Sequence, residues 1–252
     1  MRLKYLFAFV MIFSIALTLM GCSAAPDDGE IVVYTHSALE DDPIFDCLDT
    51  EDGVIPEYIT IRGERFSTAL TELNLNEMDL TDEDISPLKY MTNLTQLFLF
   101  GNQIRDISPL IGLTDLIILQ LGENQISNIQ PLVDLTNLRV LGLSNNQISN
   151  IMPLDELTNL EMLYLCGNQI SSIWSLVELT DLHLLFLGSN KISDTRPLAE
   201  LTNLQFLSLE YNLISDIAPL ANLTNVLHLS LEATQINDWS PVEHIEIVIG
   251  RP

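Results

Sequence analysis

The 252-residue sequence has little positive charge. Ten Lys and Arg oppose 35 Asp and Glu, which gives a formal net charge of −25 at pH 7. A surface this acidic repels nucleic-acid phosphates, so we expect no nucleic-acid binding. The shortage of cations does not imply disorder, because 47% of the residues are hydrophobic and they recur through most of the chain. Length and apolar content are sufficient for one large domain with a sizeable core.

Residues that carry catalytic and metal chemistry are also scarce. The sequence has 3 Cys and 4 His, and the spacing of Cys22, Cys47 and Cys166 matches neither a CxxC metal motif nor a disulfide framework. It contains no HExxH motif, no glycine-rich phosphate loop and no EF-hand loop. Acidic turns such as "LTDEDI" are interpreted as solvated surface rather than as calcium sites. We therefore predict a protein that is not an enzyme and that uses no cofactor and no metal.

The first 21 residues have the composition of a secretory signal peptide. Arg2 and Lys4 precede the apolar run "YLFAFVMIFSIALTLMG", which ends at Gly21. The ending "LMGC" resembles the lipobox of bacterial lipoproteins, which implies cleavage before Cys22 and a diacylglyceryl group on its thiol. The alternatives are a signal peptide without lipid and a retained membrane span, for which a run of about 17 residues is short. The resemblance implies a secreted, extracytoplasmic protein attached to the bacterial cell membrane only by its lipid.

The rest of the chain divides by composition. Residues 22–57 are predicted to form an acidic tether and N-terminal segment, because they contain eleven Asp or Glu and no Lys or Arg. Strand-like alternation begins in "EYITIRGERF", and residues 58–91 are interpreted as an N-terminal cap with a first, atypical repeat. Residues 92–245 hold the regular repeats, and 246–252 form the C-terminal end. Near that end, "HIEIVI" is predicted to be a closing edge strand.

A repeat of 22 residues occupies most of the chain. Each unit follows L-x-x-L-x-L-x-x-N-x-I-x-x-I-x-P-L, which is the leucine-rich repeat pattern of a short strand, a turn and a 3₁₀-like return. With the atypical unit at residues 68–91, the sequence contains eight units. Seven threonines open the regular units without a break in spacing: Thr92, Thr114, Thr136, Thr158, Thr180, Thr202 and Thr224.

The positions within a unit have distinct physical roles. In "LTQLFLFGN" the leucines point inward, while Gln96 and Phe98 point outward, because strand side chains alternate between faces. Asn102 ends this strand, and its amide is suited to satisfy turn backbone groups that would otherwise be buried unpaired. The same asparagine recurs in six units, at Asn102, Asn124, Asn146, Asn168, Asn190 and Asn212.

The stretches "LTNLRVLGLSNNQISNIMPLDE" and "LTNLQFLSLEYNLISDIAPLAN" resemble the internalin-type repeats of bacterial surface proteins. The resemblance covers residues 68 to about 245. It implies a fold of the α/β repeat class that is mostly β: a right-handed leucine-rich-repeat solenoid of about eight 22-residue units. Its parallel strands are expected on the concave face, and 3₁₀ or irregular segments on the convex side.

Outward positions of the strands change from repeat to repeat. One outward column is apolar over five consecutive units, and aromatic residues stand in the columns beside it. An apolar surface on so acidic a chain predicts a partner site, since aromatics and Met are enriched in interface cores. The alternative is that outward β positions simply favour bulky residues that cover one another. The predicted partner-binding residues are Phe98, Phe100, Ile118, Val140, Met162, Tyr164, Leu184, Phe186 and Phe206.

These patterns predict a surface-exposed lipoprotein whose concave face binds an unidentified extracellular protein. The alternatives are a structural envelope or spacer protein and a glycan-binding module, for which Gln96, Phe98 and Tyr164 supply polar and aromatic groups. Outward side chains do not fill the solenoid core, so we expect their replacement to leave the fold intact. Trp174 occupies a variable position after the core residue Ile173, and we expect it to be exposed.

Overall fold

The computed structural model describes residues 55–251 of the chain. The predicted signal peptide, the predicted lipid-attachment residue Cys22 and all but the end of the acidic segment lie outside the described residues. Between residues 55 and 251, no helix has the length and apolar character needed to cross a membrane.

An antiparallel hairpin opens the described part of the chain. Its strands are β1 (Tyr58–Ile61) and β2 (Glu64–Ser67). Gly63 forms part of the turn with a φ of 85°, a conformation that glycine adopts without a steric penalty. Ile59 and Ile61 are buried and join the solenoid core. The strand-like alternation predicted for this stretch is therefore confirmed, and the hairpin covers the first repeat.

Nine parallel strands form a single sheet in chain order. Each strand is three residues long, and each residue pairs with the residue at the same position of the next unit, as Ile118 does with Val140. The last strand coincides with the edge strand predicted in "HIEIVI". The strands are β3 (Glu72–Asn74), β4 (Gln96–Phe98), β5 (Ile118–Gln120), β6 (Val140–Gly142), β7 (Met162–Tyr164), β8 (Leu184–Phe186), β9 (Phe206–Ser208), β10 (His228–Ser230) and β11 (Ile247–Ile249).

Every unit returns through a short 3₁₀ turn on the side opposite the sheet. Seven of the eight turns have Pro in the first positions, where its missing N–H costs no hydrogen bond. The turns are Ser86–Tyr90, Ser108–Leu110, Gln130–Leu132, Met152–Leu154, Trp174–Leu176, Arg196–Leu198, Ala218–Asn222 and Ser240–Val242.

The fold is a mostly β solenoid, as predicted. Within residues 55–251 the only α-helix is α1 (Asp82–Ile85), a single turn in the atypical first unit. The strands, stacked about 4.8 Å apart, form the concave face, and the 3₁₀ turns form the convex side. Side chains of the sheet that point away from the core are therefore crowded together.

The core is built by the same inward positions in every unit. Leucines flank and enter the strand, and isoleucines and a leucine line the return path. Full burial of each such side chain stabilises the fold by about 1.5–3 kcal/mol relative to exposure. In the unit that begins at Thr92, the residues with 0% exposure are Leu94, Leu97, Leu99, Ile104, Ile107, Leu110 and Leu113.

The recurrent asparagines join consecutive units. The Asn146 amide nitrogen donates to the carbonyl oxygens of Leu121, at 2.9 Å, and Leu143, at 3.1 Å. Its side-chain oxygen accepts the Ile126 N–H at 2.9 Å. Leu121 and Ile126 belong to the preceding unit, so one side chain links two turns of the solenoid. The six asparagines are only 4% to 8% exposed, and the predicted turn role is confirmed.

We expect Asn146→Ala to destabilise the protein, because it leaves the buried Leu121 carbonyl and Ile126 N–H without their side-chain partner. Each buried polar group left unsatisfied costs about 1–3 kcal/mol. The free energy of unfolding, measured by denaturant titration, should fall by at least that much. The neighbouring exposed Gln147 provides the control: Gln147→Ala should change stability by less than about 0.5 kcal/mol. Equal stabilities of the two variants would contradict the linking role.

Candidate functional site

The nine predicted partner-binding residues lie together on the concave face. In-register pairing places five of them in one column that runs across β5 to β9. The other four are aromatic and stand in the two columns toward the strand C-termini. The apolar column consists of Ile118, Val140, Met162, Leu184 and Phe206, and the aromatic neighbours are Phe98, Phe100, Tyr164 and Phe186.

The exposure of these residues divides them into two groups. Tyr164, Phe186 and Phe206 are only 2%, 8% and 7% exposed. With Cys166 they form a second apolar cluster, separate from the solenoid core. An outward strand position therefore does not leave these three aromatics open to solvent. Adjacent strands are so close that large side chains in neighbouring units cover one another.

The remaining predicted residues keep part of their surface in contact with solvent. Val140, Met162 and Leu184 are half-buried and pack against the second apolar cluster. Ile118, at the end of the same column, is also half-buried, as are Phe98 and Phe100. The accessible part of the site is thus an aliphatic and Met column that lies on a layer of buried aromatic rings.

Ring stacking holds that aromatic layer in place. The Tyr164 and Phe186 rings have centroids 5.1 Å apart and an interplanar angle of 6°. Phe206 stacks in the same way on His228, with centroids 4.8 Å apart and planes 10° from parallel. Both stacks follow from the parallel register, which places rings at equal positions one strand apart. His228 was not among the predicted residues, although it directly follows Phe206 in the apolar column.

Two glycines allow polar side chains to border the cluster. A Cβ at Gly142 would collide with the side-chain amide of Gln120, which is only 2% exposed. A Cβ at Gly188 would collide with the carboxylate of Glu210. That carboxylate also accepts a hydrogen bond from the Ser208 hydroxyl, whose oxygen lies 2.8 and 2.7 Å from its two oxygens. Glycine at an outward strand position signals such a close approach, and the sequence prediction did not use that signal.

A thiol, a hydroxyl and a carboxylate lie next to one another on this face, those of Cys166, Ser208 and Glu210. Cys166 is fully buried, and its Sγ lies 4.0 Å from the Ser208 hydroxyl oxygen. Across residues 55–251, no three His, Cys, Asp or Glu side chains are grouped so as to hold a metal ion. What the concave face offers a second molecule is an apolar contact surface with acidic residues at its border.

Comparison with known proteins agrees with this geometry. The family described as "Leucine Rich repeats (2 copies)" matches residues 68–112, 114–157, 158–200 and 202–244. The crystal structure of internalin C2 from Listeria monocytogenes is 36% identical, with a TM-score of 0.69, and the match covers 74% of this chain and 84% of that one. The chain belongs to the internalin-type leucine-rich repeat proteins.

Two further structures share the solenoid. The internalin InlF of Listeria monocytogenes is 32% identical with a TM-score of 0.61, over 74% of this chain and 63% of that protein. The ectodomain of the Arabidopsis thaliana receptor kinase GASSHO1/SCHENGEN3, in complex with Casparian strip integrity factor 2, is 25% identical with a TM-score of 0.59. That match covers 65% of this internalin-type chain and 21% of the plant protein. No curated protein sequence matches the chain.

We expect the buried Tyr164 to ionise above the ordinary pH range of a tyrosine. Burial raises the pKa of its phenol from 10.0 to about 12. The folded state therefore retains this proton more tightly than the unfolded state does. The contribution to stability is complete below about pH 10 and is lost between pH 10 and 12, as the unfolded phenol ionises.

Tyr164→Phe should remove the last step of an ultraviolet tyrosine titration, whereas Tyr211→Phe, at an exposed residue, should leave that step. Persistence of the step in Tyr164→Phe would refute the assignment.

Proposed function

We propose that this protein is a surface lipoprotein whose concave apolar column binds an extracellular protein. The observation that carries the proposal is the half-exposed column of Ile118, Val140, Met162 and Leu184 on a layer of buried aromatic rings. Nothing in the solenoid core requires these side chains, because the core is completed by the inward leucines and isoleucines. A contiguous apolar patch of this kind on an acidic protein is typical of an interaction site.

The rigidity of the face favours protein binding. Nine strands at a spacing of about 4.8 Å give a surface roughly 38 Å long, long enough to contact a folded partner or an extended segment. Backbone pairing and ring stacking already order the surface, so association does not have to order loops at the site. Glu210 lies on the same face and keeps part of its surface in contact with solvent, as polar residues do at the rim of protein interfaces.

Known relatives support a protein ligand. The plant receptor ectodomain of the same fold was solved with Casparian strip integrity factor 2 bound to it. The glycan-binding alternative is less well supported by the geometry, because the Tyr164 ring, with 2% exposure, is not open to stack on a sugar. We therefore propose a protein partner whose apolar side chains contact the half-exposed column.

A binding experiment on the full-length chain tests this proposal. The chain is presented to a panel of purified surface proteins and glycans, and the affinity of any binder is then measured for the variants. We expect Met162→Ser and Leu184→Ser each to weaken protein binding about 30-fold, since interface hot spots are worth 2 kcal/mol or more. Ser108→Ala and Gln130→Ala, on exposed convex positions, should have no effect. Equal affinity of all four variants would place the site elsewhere.

The proposed lipid anchor depends on Cys22. A single acyl chain gives only marginal membrane binding, whereas two or more hold a protein stably. We expect Cys22→Ser to release the protein from the membrane fraction or to block its processing, as detected by fractionation and by the mass of the mature chain. Cys47→Ser, which removes a thiol beyond the "LMGC" motif, should behave like the unmodified sequence. Membrane retention and an unchanged mature mass in Cys22→Ser would refute the anchor.

A further inference from the structure

The convex side contains an open depression far from the apolar column. Its volume is about 570 Å³, and it lies between the 3₁₀ turns Met152–Leu154 and Trp174–Leu176. Met152 and Trp174 occupy the same position of consecutive units, and they are 68% and 52% exposed. Among the 3₁₀ turns of residues 55–251, these two are the large apolar side chains that are exposed to this extent.

The turns themselves do not require Met or Trp at this position. In the other six units the equivalent residue is Ser, Gln, Arg or Ala, and those turns also form. Trp174–Leu176 is also the one 3₁₀ turn of residues 55–251 without Pro in its first positions, since Ser175 stands there instead. The requirements of the solenoid therefore do not account for the two exposed side chains.

The indole of Trp174 is held in place by the next unit. The Arg196 guanidinium carbon lies 5.6 Å from the centroid of the Trp174 ring. Arg196 in turn makes two hydrogen bonds to the Asp194 carboxylate, at 2.9 and 2.7 Å. These bonds to Arg196 are the main reason that the pKa of Asp194 is lowered to about 2, and the carboxylate that holds Arg196 is ionised at neutral pH. The indole is thus oriented before any ligand arrives.

The charges that line the depression are all negative. Asp155, Glu156 and Glu178 are exposed lining residues, and no Lys or Arg of the described chain lines it. None of the ion pairs found in residues 55–251 involves these three carboxylates. Glu156 and Glu178 occupy equal positions of consecutive units, so their like charges repel each other, and a cation placed between them would relieve that repulsion.

We propose that this depression binds a basic segment of a partner protein through a Lys or Arg side chain. Such a side chain has an apolar stem and a charged head. The stem is suited to lie on Met152 and Trp174, while the head approaches the carboxylates and the indole, which attracts cations through its ring face. This site is separate from the proposed concave site and does not depend on it.

The experiment uses the full-length chain and the probe acetyl-Gly-Arg-Gly-Arg-Gly-amide. Its matched control is the analogue with citrulline at both arginine positions, which is neutral but nearly isosteric. Binding is followed by the NMR signal of the Trp174 indole N–H, which is distinguished from the second Trp of the chain by Trp239→Phe. We expect this signal to shift as the arginine peptide is added and to reach a plateau. The shift should be smaller at high salt, because salt screens exposed charges. The citrulline peptide should produce no shift.

Substitutions separate the contribution of charge from that of the apolar surface. Glu156→Gln and Glu178→Gln should each weaken peptide binding about two- to fivefold, the range of an exposed ion pair. Glu246→Gln makes the same charge change at an exposed residue of the C-terminal end and should have no effect. Met152→Ser should weaken binding of the arginine peptide, whereas Leu184→Ser on the concave face should leave that binding unchanged.

Several results would overturn the proposal. A Trp174 signal that does not move saturably excludes the site, and equal binding of the citrulline peptide excludes recognition of charge. Loss of peptide binding in Leu184→Ser with full binding in Met152→Ser would assign the basic ligand to the concave face. A larger Trp174 shift with neutral chitotriose than with the arginine peptide would identify a glycan site instead.

Discussion

One buried asparagine amide in each of the six central units links the turns of this solenoid. A turn that leaves the strand after three residues buries backbone N–H and C=O groups, and burial without partners is costly. The side chain of Asn146 satisfies groups in its own unit and in the preceding one, and its equivalents repeat these contacts along the chain. Along these six units the link joins each turn to the preceding one and supports the stacking that keeps their strands in register.

Because the strands are in register, the positions that vary between repeats lie side by side on the surface. Residues 22 positions apart in sequence become neighbours one strand apart, so a position that is apolar in several units forms a continuous column. On the crowded concave side, aromatic residues such as Tyr164 and Phe186 stack and bury one another. On the wider convex side, Met152 and Trp174 remain exposed beside acidic neighbours. One scaffold thus presents two different faces: a half-buried apolar column on stacked rings, and two exposed apolar side chains beside exposed carboxylates.

The regular part of the fold was predictable residue by residue. The strand at Met162–Tyr164, the core role of Leu163 and the linking role of Asn146 follow from a pattern that each unit repeats. The sequence predicts that the apolar side chains of the candidate site form one column, but it does not predict which of them are exposed. The burial of Tyr164 depends on Phe186 and the rest of its cluster, and the approach of Gln120 depends on the missing side chain of Gly142. The pattern within one repeat does not predict these contacts, because each of them joins residues of different repeats.

The sequence by itself determined the period, the inward and outward positions and the acidic character of this internalin-type chain. These properties are local, because strand alternation and turn chemistry act over a few neighbouring residues. Only the tertiary structure decided which outward residues are exposed and which carboxylates lie near Trp174. The reason is geometric: strands stack about 4.8 Å apart, so exposure at any position is set by side chains one and two units away, at distances that the linear sequence does not express.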